Sequence, residues 1–237
     1  MMRIIPLLLV FLSLTACENI PQVLDTGAQV SAATGYSPAQ LNNAVKEALQ
    51  LSATRAVDEL GRSGGYSDNS RWRLQLPESV QSVAGTMRQF GLGGSLDKVE
   101  SLMNRGAELA AAEAKGVFLE AIKGMTIQNA LGIVRGNETA ATDYFRATTE
   151  AQLSARYKSL MQGQLQQLGF YSQYQQLLGI YKNLPISNKP NLDLEEYAVR
   201  EGLQALFGQI AEEEKKIRAN PLEQGTALVA AIFGNKP

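Results

Sequence analysis

A serine and a lysine three residues apart at a helix start can act as an acyl-transfer pair, because the amine can take the hydroxyl proton. Ser95-Leu96-Asp97-Lys98 has that spacing, and Ser67-Asp68-Asn69 adds a second element of the same chemistry. The order is inverted, and the K-T-G strand that such a site needs is missing from the sequence. Ser95 therefore reads as a helix N-cap after the turn Gly91-Leu92-Gly93-Gly94. The run Glu212-Glu213-Glu214-Lys215-Lys216-Ile217-Arg218 offers carboxylates for cation binding or acid–base catalysis. Glu212–Lys216 and Glu214–Arg218 also stand at i,i+4 with cations toward the end of the helix, and the reading adopted is a solvated helix terminus. Tyr157, Tyr171, Tyr174 and Tyr181, interleaved with glutamines from Gln162 to Gln176, could line a groove for sugar or lipid; tyrosine at helical spacing reads as core with its hydroxyl at the rim. Arg71-Trp72-Arg73 could stack a ring or anchor at an interface, but its alternation with Leu74 and Leu76 turns Trp72 inward and leaves the arginines in solvent.

The 237 residues include no histidine and one cysteine, Cys17. That composition excludes a Ser-His-Asp triad, a Cys-His dyad and a His/Cys zinc site. No catalytic residue, cofactor or metal site is expected. The tetrad Leu14-Thr15-Ala16-Cys17 resembles a bacterial lipobox, preceded by Arg3 and an apolar run from Ile4 to Leu14 that is far shorter than the about 20 residues of a spanning helix. The resemblance implies that cleavage precedes Cys17, that its thiol takes a diacylglyceryl group and that its amine is acylated. Glu18 resembles outer-membrane sorting, since aspartate there is the usual retention signal. The expected location is the periplasmic face of the outer membrane, held by lipid and palmitate.

These features divide the chain into a lipoprotein signal peptide at 1–16, a lipidated tether at 17–36 and a helical domain at 37–237. With 22 basic and 23 acidic residues there is neither a nucleic-acid stripe nor an acidic tail, and no nucleic-acid partner is expected. The tether reaches at most roughly 65 Å fully extended, so the domain would ride near the membrane.

Helix starts and stops are readable from Ser37 onward. Ser37-Pro38-Ala39-Gln40 supplies an N-cap, a proline at the first helical position and a capping-box partner, and Gly61 stops that helix. Residues 62–77 are non-helical, with an extended segment near 71–77. Helices follow over about Glu78–Phe90 and from Ser95 to about Ile122. Thr126 caps a short helix, Asn137 another, and Thr149 with Gln152 a further one that Gly169 stops. Phe170–Leu184, a helix begun by Asp193 and Glu196, and a last one from Asn220-Pro221 complete the series. The fold class is all-α: a multi-helix, bundle-like single domain.

Several short blocks fall in order along these helices: Leu74-Gln75-Leu76-Pro77, Asn104-Arg105-Gly106-Ala107-Glu108, Glu113-Ala114-Lys115 with Phe118, Met125-Thr126, Ala141-Thr142-Asp143-Tyr144-Phe145-Arg146, and Glu212-Glu213 through Ile217-Arg218-Ala219-Asn220-Pro221 to Phe233-Gly234. On these blocks most of residues 40–234 resembles the uncharacterised proteobacterial lipoproteins of domain-of-unknown-function family 4197. The resemblance implies a location and a helical fold, and no activity.

Arg105 and Glu108, three apart beside the apolar stripe of the long helix, can pair; Asp143 and Arg146 have the same spacing around Tyr144. If the two flanks face one another, the four charges and the hydroxyl make one interhelical network that fixes helix register or lines a ligand cleft. Three functional classes follow. The favoured one is a non-catalytic envelope protein that binds a partner or stabilises the envelope. The alternatives are a binder of lipid or another amphipathic ligand between helices, and a serine- or carboxylate-based hydrolase.

Overall fold

The computed structural model describes residues 29–32, 34–187 and 189–234; Cys17, the signal segment 1–16 and the tether up to residue 28 lie outside the described residues. The chain is all-α, with no strand among the described residues. In order the helices are α1 (Pro38–Leu60), α2 (Glu78–Gln89), α3 (Gly93–Gly124), α4 (Ala130–Val134), α5 (Ala140–Gln167), α6 (Phe170–Tyr181), α7 (Leu194–Ala219), α8 (Pro221–Gln224) and α9 (Ala227–Gly234).

The long helices α1, α3, α5 and α7 form a ring in which each packs on the next and α7 closes on α1. Their inward stripes supply the core. Phe118, Phe145 and Phe207 from α3, α5 and α7 meet at its centre with ring centroids 5.7 to 6.0 Å apart, within the range for tilted and edge contacts. Small residues let the helices approach: a Cβ at Gly106 on α3 would lie 2.8 Å from a methyl of Leu165 on α5. The remaining helices buttress the ring, α2 and α6 against α3, α4 against α1, and α9 against α1.

Local signals set several boundaries as expected. Ser37 and Gln40 make a reciprocal capping box, Pro38 opens α1, and the Gly61 N–H closes it on the Val57 carbonyl. Asp193 accepts from the Glu196 N–H at the start of α7. Gly169 ends α5 with φ +72°, a left-handed conformation that glycine adopts without a Cβ clash.

Other boundaries differ. Ser95 lies inside the first turn of α3, whose N-cap position is Leu92. Asn129, not Thr126, caps the short helix α4 by accepting from the Gly132 N–H. Asn137 receives the N–H of Thr139, and α5 begins at Ala140. Thr149 and Gln152 start nothing, because α5 runs unbroken past them; the Thr149 hydroxyl donates to the Phe145 carbonyl one turn back, leaving no free cap. Ordered contacts also reach into the segment read as tether, where Val30 and Tyr36 pack on the core and the Tyr36 hydroxyl donates to the Ala231 carbonyl of α9 at 3.1 Å.

Residues 61–77 form the irregular strap predicted between the first two helices. Leu74 and Leu76 are buried while Arg71, Arg73 and Gln75 are exposed, which preserves the alternation. Tyr66 is fully buried and donates to the Gly202 carbonyl on α7 at 2.8 Å. Trp72 lies over Gly208, where a Cβ would stand 2.2 Å from its ring, and its indole N–H donates to Gln209 at 2.7 Å. Tyr157 departs from the expected rim position. Its hydroxyl is buried with its ring, against the Tyr66 hydroxyl, without a well-aligned hydrogen bond.

Candidate functional site

Of the three buried carboxylates among the described residues, Glu108, Glu213 and Glu214, two receive backbone N–H groups from distant segments. Glu108 on α3 is 2% exposed and accepts from the N–H of Gly64 at 3.1 Å, the N–H of Ser67 at 3.2 Å and the Ser67 hydroxyl at 2.9 Å. Gly64 has φ +82°, which turns the strap so that its N–H groups converge on the carboxylate. Arg105 completes the set at 2.9 Å from one helical turn back. Burial pushes the Glu108 carboxyl up, but the Arg105 and strap hydrogen bonds outweigh it and hold the group below the usual carboxylate range. The Ser67 hydroxyl beside it is committed to this carboxylate as a donor.

Glu108 was expected beside the apolar stripe; it lies within the buried face because the strap covers it. The preceding Asn104 does comparable work. Its side-chain oxygen accepts from the Leu74 N–H at 2.9 Å and its amide donates to the Leu74 carbonyl at 2.8 Å, so one residue satisfies both backbone groups of the extended segment.

The second carboxylate is Glu214 on α7, fully buried. It accepts from the N–H of Ala141 at 3.0 Å, the N–H of Thr142 at 2.7 Å and the Thr142 hydroxyl at 2.6 Å. These donors belong to the first turn of α5, whose own N-cap residue Thr139 makes no side-chain cap. Glu214 is therefore a cap supplied from another helix. Arg218 binds it at 2.8 Å and extends two more nitrogens to the carbonyls of Ile133 and Val134, each at 3.0 Å, at the end of α4. An anion sits at one helix N-terminus and a cation at the preceding helix C-terminus, which satisfies both macrodipoles and fixes the α4–α5 corner. Arg218 also stacks over Phe233 of α9 at 4.7 Å. The solvated terminus expected for this pair is overturned: its side chains are 2% and 1% exposed.

The proposed five-residue network does not form. Arg105 and Glu108 pair, but Asp143 accepts from Thr139 and is exposed. Arg146 pairs with Glu150 at 2.8 Å and covers Phe207 at 5.4 Å, while the Tyr144 hydroxyl donates to the Thr126 carbonyl at 2.8 Å. Asp143 faces solvent, Tyr144 the α3–α4 loop and Arg146 the edge of the core, and each takes a partner other than the Arg105–Glu108 pair.

The surface of the described residues carries clefts, and two of them are similar in size. One of about 590 Å³ lies between α1 and α7 and is lined by Arg55, Asp58, Glu59, Gln209, Glu213 and Lys216. Asp58 pairs with Lys115, Glu59 with Arg62 and Glu213 with Lys216, while Arg55 has no carboxylate partner among the described residues and donates to the side-chain oxygen and the carbonyl of Gln224. The other, about 580 Å³, lies between the end of α3 and the middle of α5, with Met125, Thr126 and Tyr144 among its lining. A hollow of about 140 Å³ beside Trp72 and Tyr197 holds Arg71, Arg73 and Glu201. No group of three or more His, Cys, Asp or Glu able to hold a metal ion occurs among the described residues, and no helix there is long and apolar enough to cross a membrane.

No curated protein and no solved structure matches the chain. A family described as "Protein of unknown function (DUF4197)" matches residues 35–234, from the residue before Tyr36 to the last residue of α9. That span holds the strap, both carboxylate clamps and the four-helix ring together, and the chain belongs to this family.

Proposed function

We propose that this protein is an outer-membrane lipoprotein, acylated at Cys17 and facing the periplasm, whose helical domain binds a partner or stabilises the envelope without catalysis. The observation that carries the non-catalytic part is the engagement of the buried polar groups. Glu108, Glu214, Asn104 and Arg218 each hold backbone N–H or C=O groups, so the residues best placed to do chemistry are committed to the fold. The lipobox-like tetrad at Cys17 supports the anchor.

Metabolic palmitate labelling and membrane fractionation of wild type and Cys17→Ala test the anchor; label retained in the variant sinks it. Envelope integrity tests the role. A deletion strain should be sensitive to detergent, and wild type but not Cys17→Ala should restore resistance. Turnover of an ester, glycan or β-lactam that disappears in Ser67→Ala or Ser95→Ala would instead favour a hydrolase. A second reading, a binder of an amphipathic ligand, draws on the α3–α5 cleft, where buried Met125 lies beside exposed hydroxyl and amide groups.

A further inference from the structure

We propose that the cleft between the end of α3 and the middle of α5 is a binding site for a neutral, hydroxyl-rich glycan carrying acetamido groups. This deepens the binding reading above by naming the ligand's chemistry. Its volume of about 580 Å³ lies within the roughly 300–1,000 Å³ typical of small-molecule sites.

The case rests on which polar groups are free. The charged pair on the lining, Glu120 from α3 and Arg156 from α5, is closed on itself at 2.9 Å, so an ionic ligand meets no unmatched charge. The α1–α7 cleft differs, since Arg55 there has no carboxylate partner among the described residues and could meet an anion. Gln128 and Gln152 are different: both carboxamides are exposed and hydrogen-bond to nothing among the described residues. Each offers two N–H donors and a carbonyl acceptor, a set that pairs with vicinal hydroxyls and with an acetamide. The exposed Thr126 hydroxyl adds a further donor and acceptor.

The apolar part is small and local. Met125, 7% exposed, and half-buried Ala121 form a floor suited to an acetamide methyl or the C–H face of a pyranose. An acyl chain would instead cross the Thr126 hydroxyl and both carboxamides, leaving them without water or partners. The loop carrying Thr126 is held in advance: the Tyr144 hydroxyl donates to its carbonyl at 2.8 Å, and the Asn129 cap fixes the following helix.

The test uses the full chain, solubilised in a detergent without a sugar head group, and saturation-transfer NMR with three probes: N,N′-diacetylchitobiose, cellobiose and a capped alanine dipeptide. Saturation should appear on the acetamido methyl and ring protons of diacetylchitobiose, with cellobiose binding about tenfold more weakly. Gln128→Ala/Gln152→Ala, both exposed sites, should weaken binding about tenfold or more with the melting temperature unchanged. Absence of transfer to diacetylchitobiose at millimolar concentration, equal binding by the double variant, or stronger transfer to the dipeptide would overturn the proposal. Palmitate label retained in Cys17→Ala would refute the anchor and leave this result untouched, so failure of the anchor and failure of the glycan site are distinguishable.

Discussion

Glu214 and Glu108 are the same side chain in the same task, each receiving backbone N–H groups from a distant segment, yet their counterions differ. Glu214 faces Arg218, a side chain 2% exposed whose remaining nitrogens hold two carbonyls, whereas Glu108 faces Arg105, 43% exposed with its other side in water. The first clamp is sealed and the second is open. A sealed pair has no solvent to replace a lost partner, so its members are interdependent; in the open pair, water can take the place of the cation. The two arginines should therefore respond very differently to removal.

The largest effect expected is at Arg218. Arg218→Ala leaves buried Glu214 without its partner and strips two carbonyls of their donors, at a cost of about 3–5 kcal/mol. Arg218→Lys should recover only part of this, because one ammonium cannot reproduce a fork that reaches a carboxylate and two carbonyls. Urea unfolding followed by circular dichroism measures both. A loss under about 1 kcal/mol in the alanine variant would mean that the corner is held by packing alone.

Next comes Glu108, where the effect has a pH signature. Its carboxyl lies below the ordinary value of 4.5 in the folded protein, so it contributes stability above that pH and loses it as pH falls through the lower folded value. Glu108→Gln should be less stable than wild type at neutral pH, and the gap should narrow on acidification below 4.5. Thermal melts of the two proteins across that range decide it. The buried Tyr66 hydroxyl, pushed well above its ordinary 10 by burial, acts at the other extreme: its contribution is complete below pH 10 and is lost as pH rises toward the folded value. Tyr66→Phe should therefore unfold at a higher pH in alkaline titration, and an unchanged midpoint would show that other groups control it.

The contrast between the clamps also explains what the sequence could and could not reveal. Ser37, Asp193, Gly61 and Gly169 act on backbone within a few residues of themselves, and their roles are legible from local spacing. Thr149 with Gln152 has the spacing of a capping box, but the stripe from Phe145 through Thr149 and Leu153 to Tyr157 is buried, and continuous burial overrides the local stop. Glu214 and Arg218 resemble a surface i,i+4 pair in every local respect. The signal that could have identified them is register: Glu214 stands four residues after Ile210 and seven after Phe207, on the face that α7 turns inward. Asn104 and Glu108 carried no comparable sign, because the strap that buries them is more than 25 residues away in sequence. The network drawn through Asp143 and Arg146 failed for a related reason. Spacing along one helix says which residues can pair, but not which helix they face, and Arg146 had a nearer carboxylate in Glu150.

The smallest effect should come from Arg105 and Arg146, the two cations of the network expected from the sequence. Both are more than 40% exposed, and each makes its ion pair within its own helix. Exposed intrahelical pairs contribute at most about 1 kcal/mol, since water screens the charges and the long side chains lose rotamer freedom when they pair. Arg105→Ala should cost somewhat more, about 1–2 kcal/mol, because its partner Glu108 is buried and then keeps only the strap donors. Arg146→Ala should stay within the limit for an exposed pair, with the lost cover over Phe207 contributing more than the lost charge. Arg146→Met separates these terms, because it keeps the aliphatic stem over the ring while removing the cation. Near-wild-type stability of Arg146→Met together with a measurable loss in Arg146→Ala is the expected pattern. Equal losses in the two would mean that the charge over Phe207, not the packing, is what that edge of the core requires.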